Sequence, residues 1–168
     1  MSKREYTGVK AEFQGLEAEV NWLALENQGW SLLLSAYGDM VRGKNKSEST
    51  HLPRIPASRI GFGYEVETEK LTFGMNLTRV FKQNKIPVHE EDDDHGDDEY
   101  GHEPTPTDAY TTLDAYASYD LTFGDTDGEF FIRGNNLTDE LAKSHTSFVK
   151  DYAPLAGASV EVGLGFDF

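Results

Sequence analysis

The C-terminal stretch Ala158-Ser-Val-Glu-Val-Gly-Leu-Gly-Phe-Asp-Phe168 alternates between two kinds of position from end to end. Ala158, Val160, Val162, Leu164, Phe166 and Phe168 fall on one side of an extended chain, and Ser159, Glu161, Gly163, Gly165 and Asp167 on the other. Successive side chains of a strand point to opposite faces, so this pattern predicts a strand with one apolar and one polar face. The same period recurs upstream. In 57–68, Ile60, Phe62, Tyr64 and Val66 alternate with Arg59, Gly61, Gly63, Glu65 and Glu67. In 70–81, Leu71, Phe73, Met75 and Leu77 alternate with Thr72, Gly74, Asn76 and Thr78. The short link 67–70 joins these two as a hairpin.

Segment 109–123 sets Leu113, Ala115, Ala117, Tyr119, Leu121 and Phe123 against Thr112, Asp114, Tyr116, Ser118 and Asp120, and 124–128 turns it into 129–136. Trp30, Leu32, Leu34, Ala36 and Met40 share a face, as do Leu16, Ala18, Val20 and Trp22 opposite Glu17, Glu19 and Asn21. Val9, Ala11 and Phe13 carry the opposite parity. A β-bulge or sharp bend at Gln14-Gly15 would bring both apolar sets to one side, within one long or two short strands over 5–23. The count is about seven strands.

The chain of 168 residues has room for one domain. Its 30 acidic residues against 15 Lys and Arg give a formal charge of -15, so a phosphate backbone would be repelled and nucleic acid is not an expected partner. Cys is absent, which excludes disulfides, thiolate metal sites and thiol nucleophiles, so any metal must take N or O ligands. No apolar run approaches the roughly 18 residues of a membrane helix. Met1-Ser-Lys-Arg-Glu-Tyr leads into no apolar segment, so no signal peptide is expected. The predicted connections alternate in length: short near 24–28, long at 44–56, short at 67–70, long at 82–108, short at 124–127, long at 138–157. Long and short loops therefore lie at opposite ends. That sorting, with apolar-out and polar-in strands and many aromatics, is the pattern of an outer-membrane barrel. The fold expectation is all-β, with antiparallel up-and-down transmembrane strands forming an incomplete barrel. A soluble antiparallel β-domain is the alternative.

Several stretches resemble one family, the TonB-dependent outer-membrane receptors, in their C-terminal barrel strands. They are 6–20, Tyr37-Gly-Asp-Met-Val-Arg-Gly43, 52–63, Arg133-Gly-Asn-Asn-Leu-Thr-Asp-Glu140 and 145–157, with Phe168 closing the set. The resemblance covers nearly the whole chain, and within the family its motifs look most like the zinc-uptake branch. It implies that 1–168 is the C-terminal part of a receptor barrel in the outer membrane of a Gram-negative cell, with the C-terminus periplasmic. It further implies that a plug, a TonB box and a signal sequence lie outside this chain, that energy comes through the TonB complex by way of the plug, and that the last strand is read by the barrel-assembly machinery. The Asn-Leu-x-Asp element at 136–139 is then expected at the extracellular end of the penultimate strand. The long loops 44–56, 82–108 and 138–157 would all be extracellular.

Loop 82–108 holds the strongest chemical signal. His89, His95 and His102 stand among Asp92, Asp94, Asp97, Glu99 and further carboxylates. Imidazole with carboxylate is a zinc-type ligand set, and the negative field concentrates dications. The resemblance implies that Zn2+ is a captured or transported ligand and not a resident cofactor. Calcium fits less well, since aligning Gly96 with the EF-hand glycine would put His95 and His102 at ligand positions. Without restraint on the backbone such a run is also an ordinary solvated charge cluster. His145, Ser147 and Asp151 supply the residue types of a hydrolase triad but no G-x-S-x-G elbow, and are read as loop structure; no enzymatic activity is expected. Asn76-Leu-Thr78 and Asn136-Leu-Thr138 match the glycosylation pattern. His51 reads as a surface residue. Arg59, Glu65, Glu67, Asp114, Asp120, Glu129 and Arg133 are expected to share the lumen face. The rival reading of the whole chain is a soluble or self-associating β-protein that buffers divalent metal through its acidic His loop.

Overall fold

A computed structural model describes residues 8–87, 105–124 and 126–167. Its elements are β1 (Ala11–Asn27), β2 (Trp30–Asn45), the two-residue β3 (Thr50–His51), β4 (Arg59–Thr68), β5 (Leu71–Val80), β6 (Tyr110–Phe123), β7 (Thr126–Asn135) and β8 (Ser159–Asp167). They form one antiparallel sheet in the order β1-β2-β4-β5-β6-β7-β8, with β3 pairing only to β2. No helix occurs among the described residues. Each long strand has at least the 9 residues of β8, within the length of about 9–11 residues typical of a tilted membrane-crossing strand.

The register aligns the apolar positions of all seven long strands. Leu16 opposes Met40 and Trp22 opposes Leu34; Ala36 opposes Phe62; Tyr64 opposes Met75; Leu77 opposes Leu113; Ala117 opposes Ile132; Ile132 opposes Val162. Directly paired residues lie on one face, so these rows make one continuous apolar surface. That surface is open: Leu16 is 68% and Val160 64% exposed, while Ile55 and Ala142 are the only buried apolar residues among those described. A water-soluble domain hides such a face, so this one is built for an apolar solvent. The opposite face carries Arg59, Glu65, Glu67, Asp114, Asp120, Glu129 and Arg133, as the alternation predicts. Arg59 bonds Asp39 at 2.6 Å, and Arg133 lies over the Phe131 ring, 4.6 Å from its centroid.

The strand boundaries correct one expectation. Pairing runs unbroken past Gln14 and Gly15, and the irregularity falls instead between Leu23 and Leu25. The displaced bulge puts Leu25 opposite Leu32 on the apolar face. No bulge is needed near Gly15, because β1 and β2 continue beyond the apolar band there. Glu12, Gln14, Arg42 and Lys44 occupy the outer face at that height, where Lys46 pairs with Glu12. The short turns are tight, with Gly29 at φ 87° and Gly124 at φ 64°, conformations that suit glycine.

Three glycines on the polar face accept an aromatic ring from the neighbouring strand. A side chain at Gly61 would overlap Tyr37, one at Gly74 would overlap Tyr116, and one at Gly163 would overlap Phe131. Each glycine is the direct register partner of its ring. Two rings reach across the glycine strand to the strand beyond: the Tyr37 hydroxyl meets Thr78 Oγ1 at 2.8 Å, and the Tyr116 hydroxyl donates to Glu65. Register between strands two apart is thus pinned by side chains as well as by the ladder. Gly61→Ala and Gly74→Ala are expected to cost about 1–3 kcal/mol through overpacking. Gly165→Ala, whose added methyl meets nothing within 4 Å, should stay within about 0.5 kcal/mol. Urea unfolding of the three variants side by side in detergent checks this.

Candidate functional site

All seven predicted metal ligands, His89, Asp92, Asp94, His95, Asp97, Glu99 and His102, lie outside the described residues. The structure does describe both flanks of that segment and what holds them. Gln83 and Thr107 form a reciprocal β-bridge, with both N–H···O distances at 3.0 Å, and Lys82 pairs with Asp108 at 3.2 Å. The flanks therefore meet at the end of the sheet that carries the long connections.

Connection 46–58 folds back over the polar face. Asn45 starts it: Oδ1 accepts from Ser47 N at 2.9 Å, and Nδ2 donates to Glu48 at 3.1 Å. Leu52 N donates to Gly43 O, and the side chains of Ile55 and Leu52 fill the space a Cβ on Gly43 would take. Gln83 Nε2 then donates to the Ile55 and Pro56 carbonyls at 3.2 and 3.1 Å, tying this connection to the flank of the next.

Connection 136–158 is organised by the Asn136-Leu-Thr-Asp139 element. Asn136, 7% exposed and at φ 47°, uses its whole amide. Nδ2 donates to Glu140 O and Ala156 O, each at 3.0 Å, while Oδ1 accepts from Glu140 N and Thr138 Oγ1 at 3.1 Å. Its own N–H donates to Asp114 at 2.8 Å, and the Thr138 hydroxyl shares its one proton between Asn136 Oδ1 and Thr111 O, the latter at 2.9 Å. Asp139, at φ 51°, accepts from Ala158 N at 3.0 Å and closes the connection on β8. Asn tolerates the left-handed backbone that few other residues adopt, which explains its place here. The element stands at the loop end of the penultimate strand, as expected. A side chain so fully engaged is closed to glycosylation at Asn136.

Further along, His145 Nδ1 meets Thr107 Oγ1 at 3.1 Å, and both residues are buried. Lys150, 7% exposed, bonds Asp151 at 2.8 Å and also Thr105. Asp151 accepts in addition from Thr105 at 2.8 Å and Lys143 at 3.1 Å. Burial, and then the Lys150 charge, hold the His145 imidazole below the usual histidine value. Hydrogen bonds from Lys150, Thr105 and Lys143 hold the Asp151 carboxyl well below the usual carboxylate range. Ser147 Oγ accepts from Val149 N at 3.2 Å. The three residues with triad chemistry thus bond to other loop groups.

These contacts enclose a cleft of about 690 Å³ between the connections, walled by residues that include His51, Arg54, Thr105, His145, Phe148 and Lys150. Arg54, at φ 58°, lays its guanidinium over the Phe148 ring, 3.1 Å from the centroid. His51 lines this cleft and is half-buried. No group of three or more His, Asp or Glu side chains is placed to hold a metal among the described residues. The cleft offers charged and aromatic surface of mixed sign, with Glu48 and Asp151 beside Arg54, Lys150 and Phe148. The sequence singled out Asn136, but Gln83, Thr105 and Lys150 carry no pattern that marks them, because their partners lie far away in the chain.

The profile of the family described as TonB dependent receptor-like, beta-barrel matches residues 5–137. Among solved structures, a chain described as copper transporter OprC shares the fold, with a TM-score of 0.74 at 22% identity. The alignment covers 96% of this chain and 24% of that one, so the chain spans about a quarter of that transporter's length.

Asn136→Ala removes the four hydrogen bonds of the Asn136 amide and is expected to destabilise the connection by roughly 2–4 kcal/mol. Asn76→Ala, whose amide makes one 3.2 Å bond to Thr78, should cost under about 1 kcal/mol. Equilibrium unfolding in urea distinguishes the two.

Proposed function

Because the chain belongs to the TonB-dependent receptor β-barrel family, we propose that it forms the C-terminal wall of an outer-membrane transporter that takes up a divalent transition-metal ion. The observation that carries the membrane part of this reading is the exposed apolar face, continuous over all seven long strands. An open sheet leaves unpaired amides on β1 and β8, which in hydrocarbon must be satisfied by further strands. The rest of a larger barrel supplies them. In this arrangement the long connections face the outside, the tight turns and the C-terminus face the periplasm, the TonB complex supplies energy through a plug, and the last strand is the assembly signal.

The metal part rests on His89, His95, His102 and the carboxylates around them. The residues on either side of that segment, Gln83 and Thr107, are bridged to each other. The ligand types take both zinc and copper(II), and the order of divalent affinities favours copper. The solved neighbour's description as a copper transporter points the same way. Copper(II) ahead of zinc is therefore the proposed cargo, captured weakly enough to be passed inward. Binding falls in acid, because the ligands must be deprotonated.

Calorimetric titration with Cu2+ and Zn2+ is the test. Copper should bind more tightly than zinc, and the combined His89→Ala, His95→Ala and His102→Ala substitutions should weaken both by at least about tenfold. Unchanged binding in the triple variant removes these histidines from the reading. Metal uptake by cells that is indifferent to loss of the protein or of the TonB energy supply overturns transport itself.

A further inference from the structure

The bases of the long connections are joined by one chain of polar contacts. The Ile55 and Pro56 carbonyls are held by Gln83, Gln83 is bridged to Thr107, and Thr107 meets His145. Beside this, Lys150 and Asp151 grip Thr105. Among the described residues the collar's carboxylate on the 136–158 side is Asp151, and it already serves two ammonium groups, Lys150 at 2.8 Å and Lys143 at 3.1 Å. His145 is 5% exposed and shares the cleft wall with Lys150. Across the cleft stand His51, Arg54 and Glu48, and Glu48 is bonded by Asn45. On the facing flank, Asp108 is engaged by Lys82.

We propose that this collar is a proton-operated latch: with His145 neutral it clamps connection 136–158 onto the 105–107 flank, and protonation of His145 releases it. The hydrogen bond to Thr107 is not what fails, since the hydroxyl can turn to accept from an imidazolium. What fails is the burial of a further cation on the wall that holds Lys150, with no carboxylate left to pair it among the described residues. The sign follows from linkage. The released imidazole takes up a proton at its ordinary value near 6.5, and the clamped one only at lower pH. The clamp is therefore at full strength above that value and loses strength as pH falls through it. Release would loosen the cleft and the flank from which the acidic segment springs, independently of which metal is carried.

The absence of Cys makes the test direct. Ala142 is 1% exposed inside the clamped connection, whereas Ala153 in the same connection is exposed. Thiol labelling of Ala142→Cys, divided by that of Ala153→Cys to cancel thiol chemistry, is measured in the native membrane at pH 7.5 and 5.0. The ratio is expected to rise by at least about twofold on acidification. In a His145→Gln background, which keeps a hydrogen-bonding group but cannot protonate, the ratio should stay flat. A flat ratio with His145 present, or an equal rise with His145→Gln, overturns the proposal. If Ala142→Cys does not fold, amide hydrogen exchange over 139–157, corrected for intrinsic pH dependence, gives the same comparison between the unsubstituted protein and His145→Gln.

Discussion

Pairing in a shared register is the interaction on which the rest of this molecule rests. An amide without a partner is affordable in water but not in hydrocarbon, so strands that cross a membrane must be bonded along their length. Side chains alternate with a period of two, and a slip of one residue would turn Glu17, Glu19, Glu65 and Glu67 outward and draw Val20, Trp22 and Phe62 inward. The ladder and the apolar face therefore select each other. There is little packed interior to add to this: Ile55 and Ala142, the buried apolar residues among those described, belong to connections and not to strands.

The polar face adds its own restraint. Tyr37 and Tyr116 each lie across a glycine and bond a residue on the strand beyond, so β2, β4, β5 and β6 are locked as a group. At the long-loop end the side chains do different work. Gln83, Asn136, His145 and Lys150 replace the regular ladder with specific bonds, each satisfied, which holds irregular chain in a defined shape over the sheet.

Strands and faces were legible in the sequence because both are local, and a few residues of alternation suffice to place them. The bulge was misplaced because parity can change for two reasons. A strand may insert a residue, as at Ala24, or it may leave the apolar band, as β1 does above Leu16. In the sequence both look like a shift in phase. Asn136 was marked by its motif, and its bonding explains why that residue type stands there. The cleft was not legible: Gln83 with Pro56, Thr107 with His145 and Thr105 with Lys150 join positions 27, 38 and 45 residues apart. No periodicity records such meetings. The candidate metal ligands were visible as composition alone, and the described residues do not include them.

Direction along the sheet has a last consequence. The path from β1 to β8 contains seven long strands, each antiparallel to the next, so its two outermost members run the same way. A ring made only of copies of this sheet, all with their long connections on one side, would have to join copy to copy by a parallel seam. An all-antiparallel closure needs an odd number of strands from elsewhere. Geometry alone thus distinguishes this wall from its complement: the sheet is one arc of a circle that identical arcs could complete only through parallel seams.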